Sequence, residues 1–385
     1  MNFIAFSPHY PPNYLPFWVN LRRFGVNVLG LGDAPWDSLR PQVRSALTEY
    51  YTVWNAQDYD QLLRAVGYFT HRYGKIDRLE SHNEFWLESD ARLRTDFNIR
   101  GLRSEQIPAI KRKSEMKKMF AKAGLQPIRG RVCRTLQEAH ALADELGFPL
   151  IAKPDIGVGA FQTYRLQSRR DLEDFFARKP LVEYLLEEQI EGEIVTFDGL
   201  TNQTGKIVFC SSMRYGSVMD IVNNQSSFWY LISRQIEPDV EAAGRKIVSV
   251  YRLQERFFHF EFFRTPDGGL RPLEVNMRPP GGLTTDMFNF ANDIDVFYEY
   301  ANVVVNNRFD AQITRPYACA YVGRRNAIPY RRSVEEITAA FPIQVVYHGV
   351  IDGAFAAAIG DYGFIVRSPY EEEVVEIASF IIEQA

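Results

Sequence analysis

A chain of 385 residues is long enough for two or three packed units and a large hydrophobic core. Its 46% hydrophobic and 24% charged residues are typical of a soluble globular protein, and a net charge of −4 provides no basic surface for nucleic acid or an anionic membrane. The three cysteines lie far apart, which argues against a disulfide framework or a zinc-ribbon site and favours a cytoplasmic location. No apolar run approaches the length of a membrane span.

The first hundred residues alternate between strand and helix patterns. Three short apolar runs have the composition of buried parallel strands, at residues 3–6, 26–31 and 76–79. Apolar side chains at helical spacing predict helices around residues 18–24 and 59–73. This order predicts an α/β fold in which residues 1–108 form a doubly wound, Rossmann-like domain with its ligand edge at the strand C-termini.

A basic stretch after residue 105 marks a change in composition, and we place a domain boundary between residues 108 and 109. Residues 109–185 combine helices with short strands and are expected to form a small α+β lid subdomain. Residues 186–310 would form a central subdomain, and residues 311–385 an α+β segment that completes the sheet and the substrate cleft. Three capping patterns predict helix starts, namely Thr135 with Glu138, Ser168 with Asp171, and Ser333 with Glu336.

Lys153 lies at the end of a predicted strand and precedes a loop that contains Gly157, Gly159 and Ala160. Glycines let the backbone approach an anion, so that successive N–H groups can contact phosphate oxygens, and the lysine would add a positive charge. An ordinary hairpin loop with a surface lysine would explain the same residues. The segment is not a Walker A loop, because no Gly-Lys-Ser/Thr follows.

A β-hairpin is predicted around the turn signal at residues 266–268. If residues 267 and 268 are the two central turn residues, Glu261 pairs directly with Glu274, and Asn276 lies on the same face. Two carboxylates at this range repel each other unless a cation lies between them, and these oxygen ligands suit magnesium. The alternative is a solvated face on which the carboxylates turn apart into water.

Strand alternation also places His259 on the proposed metal face, where we interpret it as a hydrogen-bonded structural histidine. The opposite face is expected to lie in the core, with Phe260, Phe262, Leu273 and Val275.

Arg278 follows Asn276 by two residues and begins a loop rich in proline and glycine. Its planar guanidinium could bind a transferring phosphoryl group, or it could pair with a surface carboxylate. The segment from Glu187 to Glu193 is either a strand end or a hinge whose backbone pairs with a flat heterocycle. Three further candidates are open: His82 or Glu84 could contact nucleotide or substrate, and Arg214 could hold a substrate carboxylate.

Taken in order, these motifs resemble the ATP-grasp superfamily, and most of all its carboxylate–amine ligases. The resemblance covers about residues 105–300, with the preceding α/β domain also in its expected place. Five motifs carry it: Lys113 before a helix, the loop from Lys153 to Ala160, the segment from Glu187 to Gly192, Glu261, and the segment from Glu274 to Arg278.

The resemblance implies a role for each matching residue. Lys113 and Lys153 would bind the phosphates of ATP, and the loop containing Gly157, Gly159 and Ala160 would close over them. Glu187 would contact the adenine amino group. The backbones of Glu188 and Ile190 would form the adenine hinge.

The resemblance also implies that Glu261, Glu274 and Asn276 hold one or two magnesium ions, with manganese as an alternative. Arg278, together with Lys153, would stabilise the phosphates and an acyl phosphate. Many members carry an acidic ribose ligand where this chain has Ile194, so we expect Glu193 to replace it.

The implied reaction joins a small carboxylic acid or amino acid to an amine, or alternatively a thiol, through an acyl phosphate, with release of ADP and phosphate. The implied lid, about residues 113–185, would exclude water. Two alternatives are open: a carboxylase-type enzyme that uses bicarbonate, and a non-catalytic ATP-binding sensor. The expected partners are small-molecule substrates, without nucleic acid or membrane. The oligomeric state is open, although a homodimer is the commonest assembly.

Overall fold

The computed structural model describes residues 1–157, 162–215 and 227–385, and within these ranges the chain forms three sheets with helices packed against them. The first sheet has four parallel strands, in the spatial order Glu49–Thr52, Asn27–Gly32, Asn2–Phe6 and Arg78–Glu80. The α-helices of this region are Leu15–Arg23, Pro41–Ala46, Tyr59–Tyr73 and Leu87–Asp96.

Both faces of the first sheet are covered. Phe3 packs with Trp18 of helix Leu15–Arg23 on one face. Ile4, the next residue of the same strand, shares a separate core with Val66 of helix Tyr59–Tyr73. A parallel sheet covered on both faces explains the continuous apolar runs and is the doubly wound arrangement that the sequence predicts.

The first helix begins three residues earlier than its apolar spacing predicts. It spans Leu15–Arg23, and Pro16 occupies its first turn. A proline in the first turn loses no intrahelical hydrogen bond, because the first N–H groups of a helix have no partner within it. Pro16 is therefore part of the helix, although its proximity to Pro11 and Pro12 suggests a continuing loop.

The second sheet is small and antiparallel, with the strand order Gly130–Val132, Tyr184–Glu188, Leu150–Pro154 and Tyr164–Leu166. Helices Leu136–Leu146 and Arg169–Arg178 share its core. The predicted capping box at the first helix is present: Glu138 N–H donates to the Thr135 hydroxyl, and the Glu138 carboxylate accepts from Thr135 N–H.

The third sheet contains nine strands within the described ranges. Eight lie side by side in the order Leu270–Asn276, Phe257–Arg264, Glu193–Thr201, Met213–Tyr215, Phe228–Ile232, Ala318–Arg324, Tyr362–Ser368 and Val345–Val350, and Ile207–Ser211 pairs with Glu193–Thr201. Its helices are Pro238–Tyr251, Thr284–Asn292, Val296–Asn306, Val334–Ala340, Gly353–Ile359 and Glu371–Ile382. The C-terminal strands thus extend the sheet that carries the predicted metal hairpin.

Two helices connect the N-terminal region to this sheet, Ile107–Lys111 and Lys113–Lys122. The first spans the boundary proposed between residues 108 and 109. Both pack into the core beneath the third sheet, where Ile110 and Met116 share a cluster with Phe260. The start of the proposed lid is therefore anchored to the central part of the protein. Of the helices described, none has the length and apolar character needed to cross a bilayer.

His82 lies in an aromatic core beside the first sheet. Its ring stacks on Trp18 with 5.4 Å between centroids and also contacts Phe17 and Tyr300. Burial lowers the pKa of His82 to about 4. The charge of Glu80 opposes this shift, and the charges of Arg256 and Arg94 add to it. His82 is therefore a neutral core residue, which disfavours its interpretation as a ligand contact.

This lowered pKa predicts a loss of stability in acid. A folded-state pKa of about 4 lies below the reference value of 6.5, so the stabilisation is complete above pH 6.5 and is lost as the pH falls through 4. The total is about 3 kcal/mol, because each pKa unit corresponds to about 1.4 kcal/mol. His82→Phe should therefore flatten the pH dependence of unfolding, measured with urea between pH 7 and pH 4.5. The exposed His71, changed to Phe, is the control and should leave the wild-type slope unchanged.

Candidate active site

Two lysines converge on the buried carboxylate of Glu187. Lys153 Nζ lies 2.5 Å from Glu187 Oε1, and Lys117 Nζ lies 2.6 Å from Oε2. Burial alone would raise the pKa of Glu187, but the two lysines outweigh it and hold the pKa below its ordinary value. Lys153 and Glu187 are thus brought together as the sequence motifs require. Sequence reasoning missed Lys117, although it follows Lys113 by four residues on the same helix.

Lys113 lies between the glycine loop and the predicted metal hairpin. Its Nζ donates a hydrogen bond to Gly157 O at 2.9 Å and lies 3.9 Å from Glu274 Oε1. The buried Asp155 anchors this arrangement, because its carboxylate accepts from the N–H of Ser114 at 2.8 Å at the start of the helix. Gly159 and Ala160, predicted to close over phosphates, lie outside the described residues.

The segment predicted as an adenine hinge follows the strand Tyr184–Glu188. Glu188 N–H already donates to Arg129 O at 3.0 Å, and the Glu188 carboxylate pairs with the Arg129 guanidinium. Glu188 can therefore offer a heterocycle only its carbonyl group. Among the described residues, no backbone partner is found for the N–H of Ile190, which leaves a donor available.

Ile194 occupies the position at which the resemblance implies an acidic ribose ligand. Ile194 is buried in the strand Glu193–Thr201, whereas Glu193 is exposed and pairs in register with Arg264. Position 192, just before them, requires glycine because the backbone passes very close to Arg264. A Cβ at position 192 would lie 2.3 Å from the Arg264 carbonyl oxygen. An exposed carboxylate at Glu193 is compatible with the expected substitution, which remains a prediction.

Glu261 lies directly opposite Glu274 in the hairpin, and His259 lies opposite Asn276, as predicted. The predicted two-residue turn is wrong. Thr265 N–H donates to Gly269 O at 2.9 Å, so residues 266–268 form a three-residue loop.

A β-bulge restores the predicted pairing. The register shifts between Glu261 and Phe262, so that Phe262 lies opposite Pro272 and Leu273 becomes the extra residue. Leu273 is consequently only partly buried, and Pro272 is buried in its place, which corrects the predicted core face. A bulge adds one residue to one strand, so it offsets the additional residue in the turn.

The Glu261 carboxylate is held by a network of buried polar groups. Its Oε1 accepts a hydrogen bond from the Tyr215 hydroxyl at 2.5 Å and lies 3.2 Å from His259 Nε2. His259 Nδ1 lies 2.6 Å from Asp198 Oδ1. Burial alone would lower the pKa of His259, but Asp198 and Glu261 raise it to about 9. His259 is therefore a charged positioning residue for Glu261, in agreement with its structural interpretation.

Glu274 has no such neutralising network. Burial raises its pKa, Lys113 opposes the rise, and the facing charge of Glu261 adds to it. The described residues contain no cluster of three or more His, Cys, Asp or Glu side chains arranged for a metal ion. Magnesium needs fewer protein ligands, because water and substrate phosphates supply the rest. The pair of Glu261 and Glu274, whose negative charge is not fully balanced, therefore fits a cation that is also bound by a phosphate.

Arg278 connects this pair to the edge of the first sheet. Its guanidinium donates to Asn276 Oδ1 at 3.1 Å and to Pro279 O at 2.9 Å, and its Nε lies 3.3 Å from Glu84 Oε2. Glu84, one of the weaker sequence candidates, thus reaches the site through Arg278. Arg214, another candidate, pairs with Glu371, which leaves it occupied.

A buried ionic network fixes the first sheet against the same loop. Arg256 pairs with Glu80, at the end of the strand Arg78–Glu80, and donates to Met277 O at 2.9 Å. Arg94 Nη2 lies 2.8 Å from the other oxygen of Glu80. Met277 directly precedes Arg278, so the ligand edge of the N-terminal sheet and the arginine are held in one arrangement.

Comparisons with known proteins agree with this geometry. Residues 146–286 match the family model of the ATP-grasp domain. The chain is 25% identical over 245 residues to the L-arginine-specific L-amino acid ligase of Bacillus subtilis, and this match covers 61% of the chain and 59% of that relative. Less than two thirds of the relative's length is therefore matched.

Solved structures share the fold over nearly the whole chain. The crystal structure of an L-amino acid ligase from Bacillus licheniformis has a TM-score of 0.76 at 17% identity and covers 100% of this chain and 99% of its own. N5-carboxyaminoimidazole synthetase from Staphylococcus aureus, complexed with ADP, has a TM-score of 0.73 at 14% identity, covering 97% and 95%. The family match places an ATP-grasp domain at residues 146–286, and the whole chain shares the fold of these solved structures.

Proposed function

We propose that the protein is an ATP-dependent ligase that joins an amino acid or another small carboxylic acid to an amine, with ADP and phosphate as products. The observation that carries the proposal is the direct pairing of Glu261 with Glu274, flanked by Lys113 at 3.9 Å and followed on the same strand by Asn276, which holds Arg278. Negative oxygen ligands beside lysine and arginine suit a reaction in which a phosphoryl group moves between two anions.

The nucleotide would lie between the second and third sheets. Lys113 and Lys153 would bind its phosphates, and Glu187 would contact the adenine amino group beside the N–H of Ile190. In the structure the pair of Lys153 and Glu187 is already formed, which orders the lysine before ATP arrives. The small sheet would close over the nucleotide and exclude water.

Magnesium, or manganese, would be held by Glu261, Glu274 and Asn276. When bound there, the metal would neutralise phosphate charge that the lysines alone do not balance. His259 and Tyr215 keep one oxygen of Glu261 engaged, which leaves the other oxygen of that carboxylate for the cation.

Arg278 would stabilise the phosphoryl group as it passes to the substrate carboxylate. The carboxylate oxygen attacks the γ-phosphorus, the bond to the β-phosphate oxygen breaks, and ADP leaves. The amine then attacks the acyl carbon and displaces phosphate, losing one proton. Neither step needs a covalent bond to the protein, so the side chains bind, orient and stabilise charge.

The test is ADP release with magnesium and ATP, in the presence of pooled L-amino acids as carboxylates and amines. We expect ADP formation that depends on the pool and is lost in Glu274→Ala. Release of AMP and pyrophosphate would contradict the acyl-phosphate route. ATP binding without turnover in any pool would favour the non-catalytic sensor, and turnover only with bicarbonate would favour a carboxylase.

A further inference from the structure

Among the described residues, Asp286 is a carboxylate without a cationic partner, on the segment that follows Arg278. It lies in the first turn of helix Thr284–Asn292, eight residues after Arg278. Asn13 Nδ2 donates to Asp286 Oδ2 at 2.9 Å, and none of the described residues forms an ion pair with it. Although part of its surface is exposed, burial raises the pKa of this carboxylate to about 6.

Asn13 presents a second acceptor at the same place. Its Nδ2 donates both to Asp286 and to Gly282 O, the latter at 3.0 Å, and these two acceptors fix which end of the amide is the nitrogen. Its Oδ1 is then a buried acceptor for which no donor is found among the described residues. Among the described residues, the Asn13 oxygen therefore lacks a donor and the adjacent Asp286 lacks a cation, and a buried polar group without a partner is costly.

Two hydroxyl groups beside this place already make hydrogen bonds with other groups. Tyr14 donates to Pro280 O at 3.1 Å, and Tyr230 pairs with the hydroxyl of Thr284 at 2.9 Å. The charge of Asp286 nevertheless reaches both tyrosines and contributes to raising the pKa of each.

Tyr14 also connects this place to the reaction site. Burial raises the pKa of Tyr14, Arg278 lowers it and Asp286 raises it, so both charged groups lie close enough to Tyr14 to act on its hydroxyl. Asn13 and Tyr14 both bind the loop after Arg278, at Gly282 and Pro280. The arginine and the carboxylate are thus held at the two ends of one short, clamped segment.

A purely structural role for Asp286 would be to stabilise the positive end of its helix. An acid that does only this gains from the helix dipole, and its pKa falls. At Asp286 burial outweighs the hydrogen bonds from Asn13 and from the backbone, so the pKa is raised, and among the described residues no cation compensates this charge. A positively charged donor with several N–H groups would satisfy both the carboxylate and the Asn13 oxygen.

We propose that Asp286 and the amide oxygen of Asn13 bind the ammonium group of an amino acid whose carboxylate is activated beside Arg278. The inference rests on the proposed ligase function and assigns the carboxylate substrate to the amino acids. An ammonium group has three donors, enough for the unpaired oxygen of Asn13 and for Asp286. The other substrate must attack as a free amine, so this site selects the acid that is activated and not the nucleophile.

The test uses hydroxylamine as the amine, because it traps an acyl phosphate as a hydroxamate and removes the need to know the natural nucleophile. Hydroxamate and ADP are measured with pooled L-amino acids and, separately, with the matching acids that lack the amino group. Wild type should favour the amino acids. In Asp286→Asn this preference should fall about 10- to 100-fold through KM, the range expected when a charged hydrogen bond is lost, with little change in kcat.

Controls separate this inference from folding effects and from the proposed function. Asp37→Asn, at an exposed aspartate, should keep the wild-type preference. If Asp286→Asn does not fold, Asn13→Ala should show the same loss of preference. Equal activation of both pools by wild type, or a loss in Asp286→Asn that affects both pools equally, would overturn the inference while leaving the ligase intact. Absence of hydroxamate and ADP with every acid would overturn the ligase and the inference together.

Discussion

Glu274→Gln should reduce magnesium-dependent ADP formation by about 10³-fold or more, because it removes one of the two facing carboxylates proposed to hold the metal. The change keeps the shape of the side chain and its distance from Lys113, so a loss of this size would reflect charge. ADP release at saturating ATP, measured over a magnesium titration, gives the effect. A smaller loss that excess magnesium restores would indicate weakened metal binding.

The same substitution should make the ligand-free protein more stable. The pKa of Glu274 is raised, so the folded state opposes its ionised form at neutral pH, and glutamine removes that charge. We expect a higher midpoint in thermal unfolding without nucleotide. Glu241→Gln, at a surface helix position where the carboxylate pairs with Arg245, is the control and should change neither activity nor stability. An unstable Glu274→Gln protein would mean that the carboxylate has a structural role.

Arg278→Met should reduce ADP formation by about 10²- to 10³-fold while leaving ATP binding nearly unchanged. Removal of one preorganised donor to developing phosphoryl charge has an effect of this size. The loss should fall on kcat, because the arginine is proposed to act on the phosphoryl group in transfer. Steady-state kinetics, with ATP binding measured separately by calorimetry, would divide the effect between the two.

Arg271 provides the matched control, because it lies on the strand Leu270–Asn276 that precedes Arg278, and its guanidinium donates to Leu270 O. Arg271→Met should retain wild-type kinetics. If Arg278→Met instead abolished ATP binding, Arg278 would be a nucleotide ligand or a structural partner of Glu84, and its assignment to the phosphoryl transfer would be wrong.

Local patterns predicted much of the fold because their physical causes are local. The reciprocal capping bonds at Thr135 and at Ser333 form as predicted, since they depend on residues three positions apart. The pairing of Glu261 with Glu274 is also correct, although by compensation: the turn has one residue more than predicted, and the bulge at Leu273 adds one on the opposite strand. A turn signal alone cannot reveal such a bulge.

The parts of the site that sequence reasoning missed depend on contacts between distant segments. Asp198 holds His259 from the adjacent strand, Tyr215 holds Glu261 from the strand beyond it, and neither belongs to a motif. Asp286 resembles any acid in a first helical turn until Asn13, 273 positions earlier, is placed against it. Only Lys117 had a local signal, its spacing of four residues from Lys113 on one helix.

The most direct test of the central claim follows oxygen from the substrate to phosphate. Pooled L-amino acids carrying ¹⁸O in their carboxylates are incubated with the protein, magnesium, ATP and hydroxylamine, and the released phosphate is examined by ³¹P NMR. An acyl phosphate requires that one carboxylate oxygen leaves with the phosphate for each ADP formed. We expect singly labelled phosphate in step with ADP. Unlabelled phosphate, or AMP with pyrophosphate, would contradict the account.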